Sequence, residues 1–299
     1  MKNKFENIDD RVPFILYPYF LGKRYKDITG NSLNLFFPRT LSEKVQWLKL
    51  FDSTPLKGLC ADKVAVRDYF CKKIVNGADY LKKVFGVWDD FDDIDFDSLP
   101  SKFILKLNHG CGFNSFIINK EKMLEHPIQF NSLRERINLF YNTRYYLNSL
   151  ELHYKFIKPQ IFAEEIIGGD SSLLFNDWMV YCFNGEPKFC NYIAHFKDGF
   201  DYSFVNNEKF QKLDFSIAYK TIDANLCKPY NYEKMFELAS ILSKDFKFVR
   251  VDFIEFDKKL YFAELTFTPY SGYFRYNGLS YTDDRSKKID LMLGDMLVI

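Results

Sequence analysis

The sequence predicts an α+β fold built on antiparallel sheets. Three observations lead there: two hairpin signatures in the second half of the chain, helix and strand patterns that alternate before them, and no internal repeat or low-complexity linker. The stronger hairpin is FVRVDFIEFDKKLYFAELTFTP, residues 248–269. Phe248 to Phe256 alternates Val249, Val251 and Phe253 with Arg250, Asp252 and Ile254. Leu260 to Phe267 alternates Tyr261, Ala263, Leu265 and Phe267 with Leu260, Phe262, Glu264 and Thr266. Period two is the strand signature, and Asp257-Lys258-Lys259 reads as the turn between them. A turn centred on Lys258 sets Asp252 opposite Glu264 and Arg250 opposite Thr266. Opposed side chains lie roughly 4.5–5.5 Å apart at Cβ, where like charges destabilise a sheet. Two carboxylates so placed call for a divalent cation such as Mg²⁺, which takes oxygen ligands at about 2.0–2.1 Å. Arg250, one pleat away, adds a fixed charge suited to a phosphate or a developing oxyanion. The plainer reading is a solvated sheet face, where Asp, Glu and Arg are ordinary.

The other elements follow in chain order. Thr40-Leu41-Ser42-Glu43 fits a capping box opening a helix over 40–51. ADKVAVRDYFCKKIV, 61–75, carries apolar residues at 64, 66, 70, 71, 74 and 75 and reads as an amphipathic helix. GVWDDFDDIDFDSLP, acidic and ending at Pro100, reads as a loop. Phe103 to Leu107 is a short strand broken by Gly110 and Gly112; 131–152 reads as a helix; 159–167 is a strand ending at Gly168-Gly169. Met179 to Phe183 and Pro187 to Tyr192 form the second hairpin across Asn184-Gly185-Glu186, with Asn-Gly the turn signal. Tyr232 to Leu242 is a helix before the last hairpin.

A chain of 299 residues, 47% hydrophobic and 27% charged, has ample size for a core, and 33 Phe and 20 Tyr make that core aromatic. Forty-one basic against 40 acidic side chains leave a formal charge of +1, without the basic stripe of a nucleic-acid binder. Six cysteines at 60, 71, 111, 182, 190 and 227 show no CxxC and read as buried thiols of a reducing compartment. The charged N-terminus lacks the apolar core of a signal peptide, and Val12 to Gly22 is too short for a membrane span, so a cytoplasmic protein is expected.

FILKLNHGCGFN places Lys106 at a strand end with two glycines after it. Glycines let backbone N–H groups approach phosphates and lysine neutralises them; an ordinary glycine turn is the rival, and GxxxxGK[ST] is absent. His109 stands beside this loop. His195, in YIAHFKDG, is a candidate for a substrate anion, with a structural role as its equal rival. Ser271-Gly272, just past the hairpin, offers small residues and N–H groups to a substrate carboxylate, against a plain turn. Lys63 reads as a solvated surface lysine. Asp89, Asp90, Asp92 and Asp93 echo the DxD pattern of metal-dependent glycosyltransferases, against the preferred reading of a solvated loop.

In this order, Lys106, the glycine loop, Glu164-Glu165, Arg250-x-Asp252 and Glu264 resemble the ATP-grasp superfamily, most closely its TupA-like branch of teichuronopeptide biosynthesis. ADKVAVRDYF, GVWDDFDDIDFDSLP, FILKLNHGCGFN, CFNGEPKF, FVRVDFIEF and ELTFTPYSG carry the likeness over roughly residues 40–275. The resemblance implies an ATP-grasp fold in which two α+β subdomains grip ATP. Residues 1–57 would be a partly helical lead-in and 58–299 the ATP-grasp domain, with a glycine-loop subdomain at about 100–167 and a metal-site subdomain at about 168–280. It further implies ATP and Mg²⁺ as cofactors. Lys106 would hold phosphates, Gly110 and Gly112 would let a flap close, and Glu164, Glu165 and Ile167 would lie nearest adenine. Asp252 and Glu264 would ligate Mg²⁺, with Arg250 on the transferring phosphoryl group.

Two departures from the pattern stand out. Thr266 occupies the place of an Asn that often follows the metal-binding Glu, its hydroxyl still able to ligate, and Asp177-Trp178-Met179-Val180 lacks a lysine where relatives carry one, with Lys63 the candidate to take over its phosphate against the preferred reading of a solvated surface residue. The activity implied is an amide ligase joining a carboxylate, a uronic acid of a nucleotide-sugar or of bacterial capsular or cell-wall polysaccharide, to a small amine through an acyl phosphate. No nucleic acid or membrane span is expected, and association with a glycosyltransferase is a further expectation. Two rivals stand: a metal-dependent glycosyltransferase working through Asp90 and Asp92, and a catalytically silent ATP-binding assembly factor.

Overall fold

The computed structural model describes residues 11–168, 177–195, 201–224 and 226–299. The helices are α1 (Tyr17–Thr29), α2 (Leu41–Phe51), α3 (Pro55–Ala61), α4 (Val66–Lys73), α5 (Lys120–Leu124), α6 (Pro127–Tyr141), α7 (Tyr145–Asn148), α8 (Tyr232–Leu242) and α9 (Asp284–Asp295). The strands are β1 (Val84–Trp88), β2 (Phe103–Leu107), β3 (Asn114–Ile117), β4 (Ile161–Glu164), β5 (Asp177–Phe183), β6 (Glu186–His195), β7 (Asp201–Asn206), β8 (Phe248–Phe256) and β9 (Lys259–Thr266). They form two antiparallel sheets, one in the order β1-β4-β2-β3 and one in the order β7-β6-β5-β8-β9. The predicted α+β class with antiparallel sheets is the observed one.

Alternation decides what each face of a sheet meets. In the smaller sheet Phe103, Leu105, Leu107, Ile161 and Ala163 turn into a core with Leu133 and Ile137 of α6. Ile104, Lys106, Phe162 and Glu164, the alternate residues, line a cavity on the opposite face. In the larger sheet Val180, Cys182, Val249, Val251 and Phe253 pack against α4 and α8. Its other face divides: Tyr181, Phe183, Phe189 and Phe248 meet α2 and α9, while Asp177, Arg250, Asp252 and Ile254 border the same cavity. The cleft therefore lies where the polar ends of both sheets are left uncovered.

The carboxylate hairpin has the expected partners for an unexpected reason. Asp252 faces Glu264 and Arg250 faces Thr266, yet Phe256 pairs with Lys259, so the turn is the two residues Asp257-Lys258. Both have positive φ, 48° and 59°, the requirement of a type I′ hairpin turn. A register shift between Asp252 and Phe253 skips Ala263, and this bulge restores the pairing beyond it. The bulge also overturns the expected alternation of β9. Leu260 and Phe262 join Leu265 and Phe267 in one core.

Other boundaries moved for local reasons. The acidic loop begins as a strand, because Phe85 and Trp88 pack on the smaller sheet's core. The helix expected over 61–75 opens only at Val66, since Asp62 Oδ1 accepts from the N–H groups of Val64 and Ala65 and turns the chain there. The helix expected over 131–152 starts at Pro127, in the first-turn position proline favours, and stops at Tyr141. The Thr40–Glu43 capping box forms as expected; the Asn-Gly turn forms with φ of 50° and 80° but is shorter than expected, since Glu186 already pairs with Phe183 in β6. Of the six thiols, all free, Cys60, Cys182 and Cys190 are buried but Cys71, Cys111 and Cys227 are exposed, against the expectation of burial for all.

A left-handed conformation costs a side-chain-bearing residue about 1–2 kcal/mol. Replacing Asp257-Lys258 by Asn-Gly should therefore raise stability by roughly 1 kcal/mol, read as a higher urea midpoint with nucleotide binding unchanged. A lower midpoint would contradict the turn assignment.

Candidate active site

The site is a cavity of about 250 Å³ between the two sheets. On the smaller sheet, Glu164 Oε2 accepts from Lys106 Nζ at 2.8 Å and from Lys82 Nζ at 2.6 Å. β4 lies between β1 and β2, so Glu164 pairs with Val84 on one side and Ile104 on the other, bringing lysines from both flanks to one carboxylate. Burial pushes Glu164 toward protonation, but Lys106 and Lys82 outweigh it and hold the carboxyl at about 2. Burial in turn lowers the Lys82 pKa. Two cations on one anion leave a surplus positive charge facing the cleft.

The glycine loop follows β2 directly. Gly110 and Gly112 adopt φ of 68° and 86°. A Cβ on Gly110 would stand 2.6 Å from the Tyr145 ring, so this glycine also allows a close approach. Lys63 is drawn in from α3's end: Asn108 Nδ2 donates to Asp62 Oδ2 at 2.8 Å, Lys63 N–H to Asn108 O at 2.9 Å, and Lys63 Nζ to Gly110 O at 2.5 Å. Lys63 is thus a cleft lysine, 3.9 Å from Glu264, and not the solvated surface residue expected. Burial and then Lys63 push the neighbouring His109 down to about 4, leaving it neutral at pH 7.

On the larger sheet Arg250 grips Asp252 through two bonds, Nε to Oδ1 at 2.8 Å and a terminal nitrogen to Oδ2 at 2.6 Å. The same nitrogen reaches Thr266 Oγ1 at 3.3 Å and lies 3.6 Å from Glu264 Oε1, to which Thr266 donates at 2.8 Å. Burial pushes Asp252 up to about 7 despite Arg250, with Glu264 and Asp177 adding to the rise. For Glu264 burial is again the largest influence, but Lys63, Arg250 and the Thr266 hydroxyl together hold it below the usual range. Asp177 is likewise raised, by burial and then Glu264. Arg250 thus serves Asp252 and Glu264 together, and of the two Asp252 is the less compensated.

These donors suit Mg²⁺. The ion prefers one or two carboxylates together with substrate phosphates over an all-protein cage. Among the described residues no three His, Cys, Asp or Glu side chains gather as a metal cluster. Asp252, Glu264 and the Thr266 hydroxyl are the oxygens on hand.

Of the residues singled out in the sequence, Lys106, Gly110, Gly112, Glu164, Glu165, Ile167, Arg250, Asp252 and Glu264 all border this one cavity. Thr266 joins them through its bonds to Arg250 and Glu264. Glu164 spends its carboxylate on the lysines, and Glu165 binds Lys83 through both its N–H and its side chain. Ser271 and Gly272 lie away from the cavity wall, with Ser271 Oγ donating to Glu151 at 2.5 Å. His195 closes β6, and its side chain lies outside the described residues. Met179 stands opposite Asp252 in the register but is packed into core with no charge to offer. Sequence reading missed Lys82 and Asp177. Lys82 sits in LKK with nothing to mark which lysine turns inward, whereas Asp177 heads a strand whose alternation with Met179 and Tyr181 does put it on the Asp252 face.

Residues 43–298 match the profile of the TupA-like ATP-grasp family. The chain belongs to that family. No curated protein matches the chain. Among solved structures, the D-alanine–D-alanine ligase of Bacillus anthracis is similar at 13% identity and a TM-score of 0.42, over 74% of this chain and 58% of that one. The ATP-grasp ligase PsnB complexed with its minimal precursor is similar at 11% identity and a TM-score of 0.43, over 84% and 68%. The Helicobacter pylori D-alanine–D-alanine ligase gives 14% and 0.42, over 86% and 69%. The chain thus spans less than two thirds of the Bacillus anthracis enzyme.

Because the folded pKa of Glu164 is depressed, its stabilisation is complete above the ordinary carboxylate pKa of about 4.3 and disappears as pH falls through about 2. Glu164→Gln leaves the buried Lys82 and half-buried Lys106 ammonium groups facing each other and should cost about 3–5 kcal/mol at pH 7. In denaturant titrations the gap between wild type and variant should hold constant above about pH 5 and close toward pH 2. A gap independent of pH would contradict the arrangement.

Proposed function

We propose that this protein is an ATP-dependent carboxylate–amine ligase, with Mg²⁺, that forms an amide bond. The observation that carries the reading is the opposition, across one cleft, of a lysine-rich glycine-loop wall to the Arg250–Asp252–Glu264 wall. Bound Mg·ATP would supply the phosphoryl group that converts a carboxylate to an acyl phosphate, from which an amine displaces phosphate. Both reactants are anions, and the residues answer that repulsion. Lys82, Lys106 and Lys63 bring positive charge to the triphosphate side. Arg250 stands where the transferring group and the incoming carboxylate meet. Asp252, Glu264 and Thr266 would hold the metal, and Ile104, Phe162 and Ile167 form an apolar wall for a base. Electrostatic groups preorganised in a dry site act most strongly on developing charge.

The substrates proposed are a uronate of a nucleotide-sugar or surface polysaccharide and a small amine, in the cytoplasm, beside a glycosyltransferase. Ser271, Gly272 and His195 belong to the proposed acceptor side. The subdomain division proposed follows the two sheets, although β1 (Val84–Trp88) belongs with the glycine-loop sheet and α2 (Leu41–Phe51) packs on the other. Among the described residues no helix is long and apolar enough to cross a membrane. The glycosyltransferase reading finds no support in the acidic run. Asp89 is held by Lys158 and Gln160, Asp92 by Arg134, and none of the four lines the cavity.

ADP release with Mg·ATP, measured over a matrix of uronates and small amines beginning with UDP-glucuronate, tests the proposal. ADP should need both partners, the product should weigh uronate plus amine minus water, and Glu264→Ala should lose about 10²–10³ of the rate. ATP bound tightly but turned over with no pair would mean a silent binder; no ATP binding would end the ligase reading.

A further inference from the structure

A second cavity lies away from the cleft between the sheets and shares no lining residue with it. It encloses about 320 Å³ between α1, α2 and α9, at the small end of the roughly 300–1,000 Å³ usual for small-molecule sites. Local packing opens it. Near the end of α9, Gly294 lets the helix touch the Arg39 carbonyl, where a Cβ would collide. Lys44 of α2 closes that end, donating through Nζ to Gly294 O at 2.9 Å and to Leu297 O at 2.7 Å. One turn earlier the Asp290 side chain reaches across to α2, and the cavity opens beside it. The end of α1 makes the third wall. There Gly30 turns the chain at a φ of 72°, and Asn31 Nδ2 donates to Tyr281 O at 3.1 Å.

The charges of this cavity are sorted by depth. Asp290 is only 9% exposed. Its two formed hydrogen bonds, from the Ser42 N–H at 3.1 Å and the Tyr276 hydroxyl at 2.9 Å, both end on Oδ1 and both come from neutral donors. Among the described residues no cation pairs with it. A buried carboxylate without a counter-charge is costly, and burial raises its pKa although Ser42, Tyr276 and Thr40 oppose the rise. Glu43, also on the wall, is already spent: its oxygens accept from the N–H groups of Asn34, Arg39 and Thr40 at 3.3, 2.9 and 3.1 Å. At the mouth Arg39 and Lys287 are exposed, and among the described residues neither side chain has an anionic partner. Tyr25, Phe274, Tyr281 and Leu291 supply apolar wall.

A ligand that answers both ends brings a cation to Asp290 and an anion to Arg39 and Lys287. We propose that the cavity is a second small-molecule site that takes an α-amino acid with an apolar side chain. Its ammonium group lies on Asp290, its carboxylate on Arg39 and Lys287, and its side chain against Tyr25, Phe274 and Leu291. An amine without the acid would meet two unanswered cations at the mouth. A simple carboxylate would meet Asp290 on the floor. The site is independent of the ligase reading, since none of its residues borders the other cleft.

Calorimetry on the full chain tests the proposal with L-leucine, isopentylamine and 4-methylpentanoate, the last two being leucine without its acid and without its amine. Leucine should bind at least about tenfold more tightly than either, the worth of one further charged hydrogen bond. Arg39→Gln with Lys287→Gln should weaken leucine by about tenfold or more and leave isopentylamine no weaker. Asp290→Asn should weaken leucine and isopentylamine but not 4-methylpentanoate. Asp290 also ties α9 to α2, so the exposed Arg39 and Lys287 provide the variant that does not depend on folding. A non-hydrolysable ATP analogue should leave leucine affinity unchanged. A wild type that binds no leucine, or binds it no better than the truncated probes, would overturn the proposal. So would full leucine affinity in the Arg39/Lys287 variant, or displacement of leucine by the analogue, which would put it in the other cleft.

Discussion

Arg250 is the constraint on which the cleft depends. It lies across Asp252 with two hydrogen bonds and reaches Glu264 and Thr266 on the next strand, so three polar side chains of the β8–β9 hairpin converge on one guanidinium. Without it, two carboxylates facing each other in a largely buried site would repel, and the hairpin would lose its register at the point where register matters. With it, compensation is still incomplete: burial leaves Asp252 pushed up to about 7. A further cation would remove that deficit. The sheet that carries this arrangement is closed by aromatic-rich core, against α4 and α8 on one face and α2 and α9 on part of the other.

The opposing wall solves the inverse problem. Lys82 and Lys106 meet on one oxygen of Glu164, so two ammonium groups are fixed in direction by a single anion and the excess charge points at the cleft. Lys63 bridges the walls, from the Gly110 carbonyl toward Glu264. Positive charge on one side and unmet negative charge on the other is the polarity that a triphosphate with its metal would complete.

How much of this was legible in the sequence depended on the range of the interaction. The Asp252–Glu264 opposition was readable because both residues lie within one hairpin, where period two and a short turn fix the partners. Even so, the turn has two residues and the bulge at Ala263 supplies the offset that a three-residue turn was expected to give. Gly110, Gly112 and Lys106 were readable because the strand and its loop are contiguous. Lys63 and Lys82 were not. What buries Lys63 is a bond between Asp62 and Asn108, 46 residues apart, and what buries Lys82 is a carboxylate 82 residues away. The left-handed backbone at Tyr270-Ser271, held from afar by Gln46 and Glu151, has no sequence signal either. The TupA-like resemblance supplied the order of the motifs, which local pattern alone would not have joined into one site.

The most direct test of the account is the Mg²⁺ dependence of ATP-analogue affinity, measured by calorimetry for wild type and Glu264→Ala. If the Asp252–Glu264 pair awaits a cation carried by the nucleotide, Mg²⁺ will tighten wild-type binding by about tenfold or more, and Glu264→Ala will lose most of that gain while keeping its metal-free affinity. An equal gain in both proteins would contradict the account, placing the metal elsewhere and leaving Arg250 as the hairpin's structural tie alone.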